Sequence, residues 1–167
     1  MDYCHTLISV PNTNIGEADS GAIMTTRQEW LLIALARRAG QPMTPVQIQK
    51  AMFLMEAEAK QFVGHGFYKF VPYNYGPFDA NVYHDLDVLA TQRLATSAPE
   101  PGRGWKMYAA TPAGMAAATK AKQGANAKGV AFLEKVVDWV SSLSFPDLVR
   151  AIYDKYPKFK ANSVFTG

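Results

Sequence analysis

Between Phe70 and Asp79 the chain reads Phe-Val-Pro-Tyr-Asn-Tyr-Gly-Pro-Phe-Asp, which packs four aromatics, two prolines and a glycine into ten residues. Aromatic side chains bury large apolar areas, while proline and glycine fix a backbone path rather than loosen it. A solvated loop has no use for this composition. The stretch is therefore a rigid packed corner or a presented surface, set between long helical patterns.

The first helix opens at Thr26, which caps while Glu29 reaches back, and runs through Trp30, Leu31, Ile33, Ala34 and Leu35 to Gly40. Arg37 and Arg38 in its last turn complement the helix dipole. A second start signal combines Thr44 as cap, Pro45 at the first helical position and Gln47. From there Ile48, Met52, Met55, Ala59 and Phe62 keep a 3-4 spacing up to Gly64, and Met43, Met52 and Met55 read as core filling. Gly64-His65-Gly66 turns the chain with His65 exposed, and Phe67 to Val71 reads as a short strand or extended approach. Asp79 then caps a third helix with Val82, Tyr83, Leu86, Leu89 and Ala90 on one side and Asn81, His84, Asp85 and Asp87 on the other.

Leu94 to Ser97 and Trp105 to Ala109 read as two strands flanking a Pro- and Gly-rich wing, Ala98 to Gly104. Three helices followed by a hairpin is the order a winged-helix unit requires. Thr111-Pro112 starts a small-residue helix with Met115, Ala116 and Ala118; Gly124 to Gly129 breaks the pattern before an amphipathic helix from Val130 to near Leu143. Ser144 caps a last helix that Pro157 ends, and Phe159 and Phe165 are candidate anchors of a short tail. The expected fold is mainly α with a small β-hairpin: a flexible arm over 1–24, then a single domain over 25–167. Its winged-helix-like core covers 25–110 and is followed by C-terminal helices over 111–157 and the tail.

The 167 residues, 49% hydrophobic, suffice to bury a proper core. Residues 1–100 carry 7 basic and 10 acidic side chains, whereas 101–167 carry 10 and 4, so the basic character is C-terminal. A single cysteine, Cys4, excludes an intramolecular disulfide and fits a reducing, cytoplasmic compartment. Cys4-His5 supplies two of the three or four ligands that zinc needs. No apolar run reaches the roughly 20 residues of a membrane span, and the N-terminus lacks the pattern of a signal peptide.

The run Thr44 to Met55 with Gln49-Lys50 inside it, then Tyr75-Gly76-Pro77 and Val82-Tyr83, resembles the Panacea domain, the SocA-like, phage- and plasmid-associated antitoxin family. Ile152-Tyr153-Asp154-Lys155-Tyr156-Pro157, with Asn162-Ser163 after it, is similar to the closing helix and tail of related small bacterial proteins. The likeness covers roughly 44–92 and 145–163. Ile48 stands where the family pattern has leucine, and the N-terminal arm and Pro-rich wing are additions. The resemblance implies a winged-helix-like module that binds and neutralises toxin enzymes, or that sits beside DNA-binding domains in regulators, with no catalytic residues. It carries over Gln49, Lys50, Tyr75, Gly76, Pro77 and Tyr83 as motif positions. Structural duties for them stay open beside a binding one: Gly76 can supply a positive φ, and Lys50 can cap a neighbouring carbonyl.

Three functions compete on these residues. A protein-binding module would use Gln49, Lys50, Gly76, Pro77 and Tyr83, with Tyr73, Tyr75 and Phe78 as aromatic anchors. Its acidic helix face, with Asp85 and Asp87, would meet a basic partner such as a toxin encoded next to it. A winged-helix DNA regulator would rely on Arg103, Lys106, Lys120, Lys122 and Lys128, because the third helix sets Asp79, Asp85 and Asp87 against phosphates. For an enzyme, Asp79, His84, Asp85 and Asp87 form the densest ionisable cluster, but no nucleophile context or phosphate loop accompanies them. The protein-binding reading leads; no metal, cofactor or membrane contact is expected, and a homodimer stays open.

Overall fold

The computed structural model describes residues 25–167, so the N-terminal arm with Cys4, His5 and Met24 lies outside the described residues. Both start signals act as expected. Thr26 and Thr44 each accept a backbone N–H three residues on, while Glu29 and Gln47 accept the N–H of the cap, opening α1 (Arg27–Arg37) and α2 (Pro45–Glu58). Such caps are each worth about 1 kcal/mol.

Two ends differ from the sequence pattern. α1 stops at Arg37, and Ala39 and Gly40 take positive φ to turn the chain out. The apolar stripe of α2 continues past its helix, which breaks at Ala59 before a single turn, α3 (Lys60–Val63). Ala59 is buried, so packing keeps the period where the backbone does not.

Residues 67–70 form no strand. The strands lie one step further on, inside the aromatic stretch: β1 (Val71–Tyr73) pairs antiparallel with β2 (Gly76–Phe78). Asp79 then caps α4 (Ala80–Thr91), and β3 (Ala95–Pro99) pairs with β4 (Lys106–Ala110). Met43 adds a one-residue bridge to this second hairpin, exchanging backbone hydrogen bonds with Tyr108. α5 (Pro112–Gly124) and α6 (Ala127–Ser142) are separated by a break shorter than the glycines suggest. Asn126 caps α6, and Gly129 sits inside that helix. α7 (Phe145–Lys155) and a 3-10 turn, Pro157–Lys160, close the fold, which is mainly α with two small antiparallel hairpins.

One hydrophobic core links these elements, with α1 and α2 at its centre. Trp30, Ile33 and Leu35 of α1, and Ile48, Met52 and Met55 of α2, are fully enclosed, and Met43 is buried beside them. Phe53 of α2 meets Phe70, Tyr156 and Phe159 edge-on at 4.8 to 5.5 Å. Edge-to-face pairs add about 0.5–1.5 kcal/mol each beyond their buried area. They fasten the C-terminal turn to the chain that enters the β1–β2 hairpin.

α5 reaches the strand side of the core through Gly114. A Cβ there would lie 1.8 Å from the Leu94 carbonyl oxygen, which also accepts the Thr111 N–H. That oxygen is backbone and cannot swing away. Gly114→Ala should therefore destabilise the protein by more than about 2 kcal/mol, read as a fall in the urea midpoint at unchanged m-value; Gly104→Ala, in open space, should change little.

Candidate interaction surface

The β1–β2 hairpin has a short ladder. Each strand has three residues, and Pro72 faces Pro77 at the middle pair, so the ladder bonds fall on the Val71–Phe78 and Tyr73–Gly76 pairs while the proline carbonyls point out of the hairpin. Its two-residue turn, Asn74-Tyr75, ends on Gly76 at φ +98°, a conformation that glycine alone adopts without strain.

Groups from elsewhere in the chain satisfy the carbonyls that point out of this ladder. Gln49 donates to the Asp79 carbonyl at 3.0 Å and accepts the Asp79 N–H at 3.1 Å; Lys50 Nζ donates to the Pro77 carbonyl at 3.1 Å. Asp79 itself accepts the Lys69 N–H at 2.6 Å and the Asn81 N–H at 2.8 Å. From the other side the tail closes in. The Val164 N–H donates to the Asn74 carbonyl at 3.0 Å, Asn162 donates to the Pro72 carbonyl at 3.2 Å, and Tyr153 donates to Ser163 at 2.7 Å.

These contacts assign structural work to several residues proposed for a partner. Gln49, Lys50, Gly76 and Pro77 are buried and hold the hairpin from below. A Cβ on Gly76 would sit 3.4 Å from both Lys50 Cε and the Tyr153 ring, so its bare backbone leaves the lysine room to pass. Tyr73 and Tyr75 are exposed, whereas Phe78 is half-buried, stacked on Tyr73 at 4.8 Å and tilted against Tyr83 at 5.7 Å.

The acidic face expected on α4 is largely absent. Asp85 has 0% exposure. It accepts from Arg27 Nε at 2.7 Å, Gln28 at 3.0 Å and the Tyr68 hydroxyl at 2.8 Å, tying α4 to α1 and to the approach segment. Asp85 stands three residues after Val82 and four before Leu89, so the helical period puts it on the flank of the buried stripe and not with His84 and Asp87, and there α1 and Tyr68 cover it. Asp79 is buried as a cap. Only Asn81, His84 and Asp87 of that face reach solvent.

The basic residues weighed for nucleic acid fall on separate elements. Arg103 lies over the Trp105 ring at 5.3 Å at the tip between β3 and β4, and Lys106 begins β4. Lys120 on α5 and Lys128 on α6 are exposed, whereas Lys122 pairs with Glu134 at 2.6 Å. Arg37, read as a dipole complement, reaches across to Asp138 of α6 at 2.6 Å.

Sequence reasoning missed Phe145 and Val164. Among the described residues, five of the seven exposed large apolar side chains are Val71, Tyr73, Tyr75, Phe145 and Val164, all on the hairpin or the elements docked on it. Phe145 meets Tyr75 edge-on at 5.2 Å and approaches Phe165 at 6.1 Å. The available signal was a phenylalanine between the Ser144 cap and Pro146, in a first turn where the helix stripe does not require it. Between the hairpin, α2 and α4 lies a small pocket of about 210 Å³, walled by Val46, Tyr73, Tyr75, Phe78 and Tyr83 with Lys50 beneath. Burial pushes the Lys50 ammonium down to about 7. Burial, reinforced by the Asp85 charge, pushes the Tyr68 hydroxyl well above the usual phenol range.

No protein-family model, curated protein or solved structure matches the chain. Among the described residues, no helix is long and apolar enough to cross a membrane, and no three His, Cys, Asp or Glu side chains are grouped to hold a metal ion.

Two outcomes follow for the buried charges. Asp85→Ala should cost about 2–4 kcal/mol, because it strands Tyr68 and frees an arginine only partly able to reach water; Asp87→Ala should stay within about 0.5 kcal/mol. Denaturant unfolding of both variants measures the contrast. Lys50 carries its ordinary value of 10.5 when unfolded and about 7 when folded, so between these values the unfolded chain binds more protons and stability rises with pH. Unfolding free energy should gain roughly 2–3 kcal/mol from pH 7 to 9.5, and Lys50→Met should remove that slope.

Proposed function

We propose that the chain is a non-catalytic protein-binding module, a Panacea-like antitoxin that binds and neutralises a partner such as a toxin encoded beside it. The observation that carries this reading is the cluster of Val71, Tyr73, Tyr75, Phe145 and Val164, exposed together on a hairpin held from two sides. Scattered surface hydrophobes need no explanation, but an aromatic patch on a rigid base is what an interface core requires. The order of helices and hairpin, and the Met43 bridge onto β4, support a winged-helix-like description of residues 27–110. The complementary partner surface is apolar; with Asp85 and Asp79 engaged, attraction to a basic partner has little left to act through.

A DNA-binding regulator is the second reading, favoured by Arg103 stacked over an exposed Trp105 at the wing tip. Against it, α4 would enter the groove presenting Asp87 and no Lys or Arg.

Co-expression with the product of the neighbouring reading frame, followed by pull-down, tests the leading reading. Tyr75→Ala and Phe145→Ala should each weaken the complex by tenfold or more, on the order of 1.4 kcal/mol, while the thermal midpoint stays within a few degrees. An unaffected complex would reject the patch. A salt-sensitive shift of random duplex DNA at low ionic strength, lost on Arg103→Ala, would favour the second reading instead.

A further inference from the structure

The hydrogen bond to Pro77 uses only part of what Lys50 offers. An ammonium has three donors, and one carbonyl oxygen engages it, at 3.1 Å. Among the described residues no ion pair includes it. The residues that line the pocket with it are uncharged, among them Tyr73 and Tyr75 of the hairpin and Tyr83 of α4, and the Tyr153 ring of α7 lies beside Gly76. Gln49, its neighbour on α2, is committed to Asp79, whose carboxylate is in turn held by Lys69 N–H and Asn81. A buried cation with idle donors is costly unless something pairs with it.

The pocket above it fits such a partner in size and kind. At about 210 Å³ it exceeds several water molecules and falls below the usual range for whole small-molecule ligands, roughly 300–1,000 Å³. One short side chain fits. A single ammonium without an arginine fork suits a monoanion, whereas a phosphate calls for more donors.

We propose that the pocket between Tyr73, Tyr75 and Tyr83 receives one carboxylate, an acidic side chain of the protein partner, seated on Lys50 Nζ. This rests on the protein-binding reading and adds a chemical identity to it: the partner presents an Asp or Glu within an apolar patch. Above about pH 7 a proton enters with the anion, because a carboxylate pairs with the charged lysine. Binding is therefore strongest below pH 7 and weakens by up to tenfold per pH unit above it.

The test uses the full chain with 13Cε-labelled lysine, titrated by NMR in sodium chloride, acetate, benzoate and inorganic phosphate at equal ionic strength. The Lys50 signal is the one lost in Lys50→Met, or in Lys50→Gln if the methionine variant does not fold. Its midpoint should move up by about one pH unit or more in acetate or benzoate, while Lys69 and Lys106 stay put. Identical midpoints in carboxylate and chloride overturn the proposal, as does a response to phosphate alone. Because no partner is needed, an unresponsive Lys50 in a protein that still captures its partner rejects the pocket and not the module. With a partner in hand, Lys50→Met should weaken the complex at least tenfold at pH 6.5 and much less at pH 9; equal effects at both overturn the carboxylate assignment.

Discussion

The grip of Gln49 and Lys50 on the backbone of Pro77 to Asp79 is the contact on which the rest depends. Two prolines opposite each other leave the hairpin a ladder of only two hydrogen-bonded pairs, with both proline carbonyls turned outward. A core helix reaches through the gap that Gly76 leaves and satisfies the chain from inside. The same three contacts fix where Asp79 stands, and Asp79 opens α4. The placement of α4 in turn sets Asp85 against Arg27, Gln28 and Tyr68. A helix start, a hairpin and a buried ion pair are thus one connected arrangement of polar groups under an aromatic cover.

Gln49-Lys50 and Gly76-Pro77 therefore act together. They are two halves of one joint. A substitution in either half leaves a buried donor or carbonyl without its partner, which costs more than the bond itself contributes.

Much of the local structure was legible because its signals are local. Thr26 with Glu29, Thr44 with Pro45 and Gln47, Thr111 with Pro112, and Ser144 each mark a helix start that needs nothing beyond the next three residues. What eluded the sequence was decided across space. Asp85 is a carboxylate at i+3 from Val82 and i−4 from Leu89, a position of the buried face, and its charge argued for solvent because Arg27, Gln28 and Tyr68, its partners, come from distant segments. The hairpin hid within a run whose prolines argue against strands, yet they fall on the one pair that needs no ladder bond and their carbonyls are taken by side chains far away. Arg37 read as a dipole complement and Lys122 as a candidate nucleic-acid contact, but both bind carboxylates of α6. For the candidate site, the aromatic content of 70–79 was readable and its orientation was not: Tyr73 and Tyr75 face solvent, while Phe78 turns half inward.

The tail returns to the hairpin at Asn162, Ser163 and Val164, across some ninety residues of intervening chain. Contacts of that separation carry a large loop-closure entropy and form after the local helices and their core. The exposed aromatics Tyr73 and Tyr75 therefore reach their final setting only when α7 and the residues behind it have docked. A chain still folding presents a hairpin lacking half its supports. The setting of this hairpin surface thus depends on two stretches of the described fold that lie far apart in sequence.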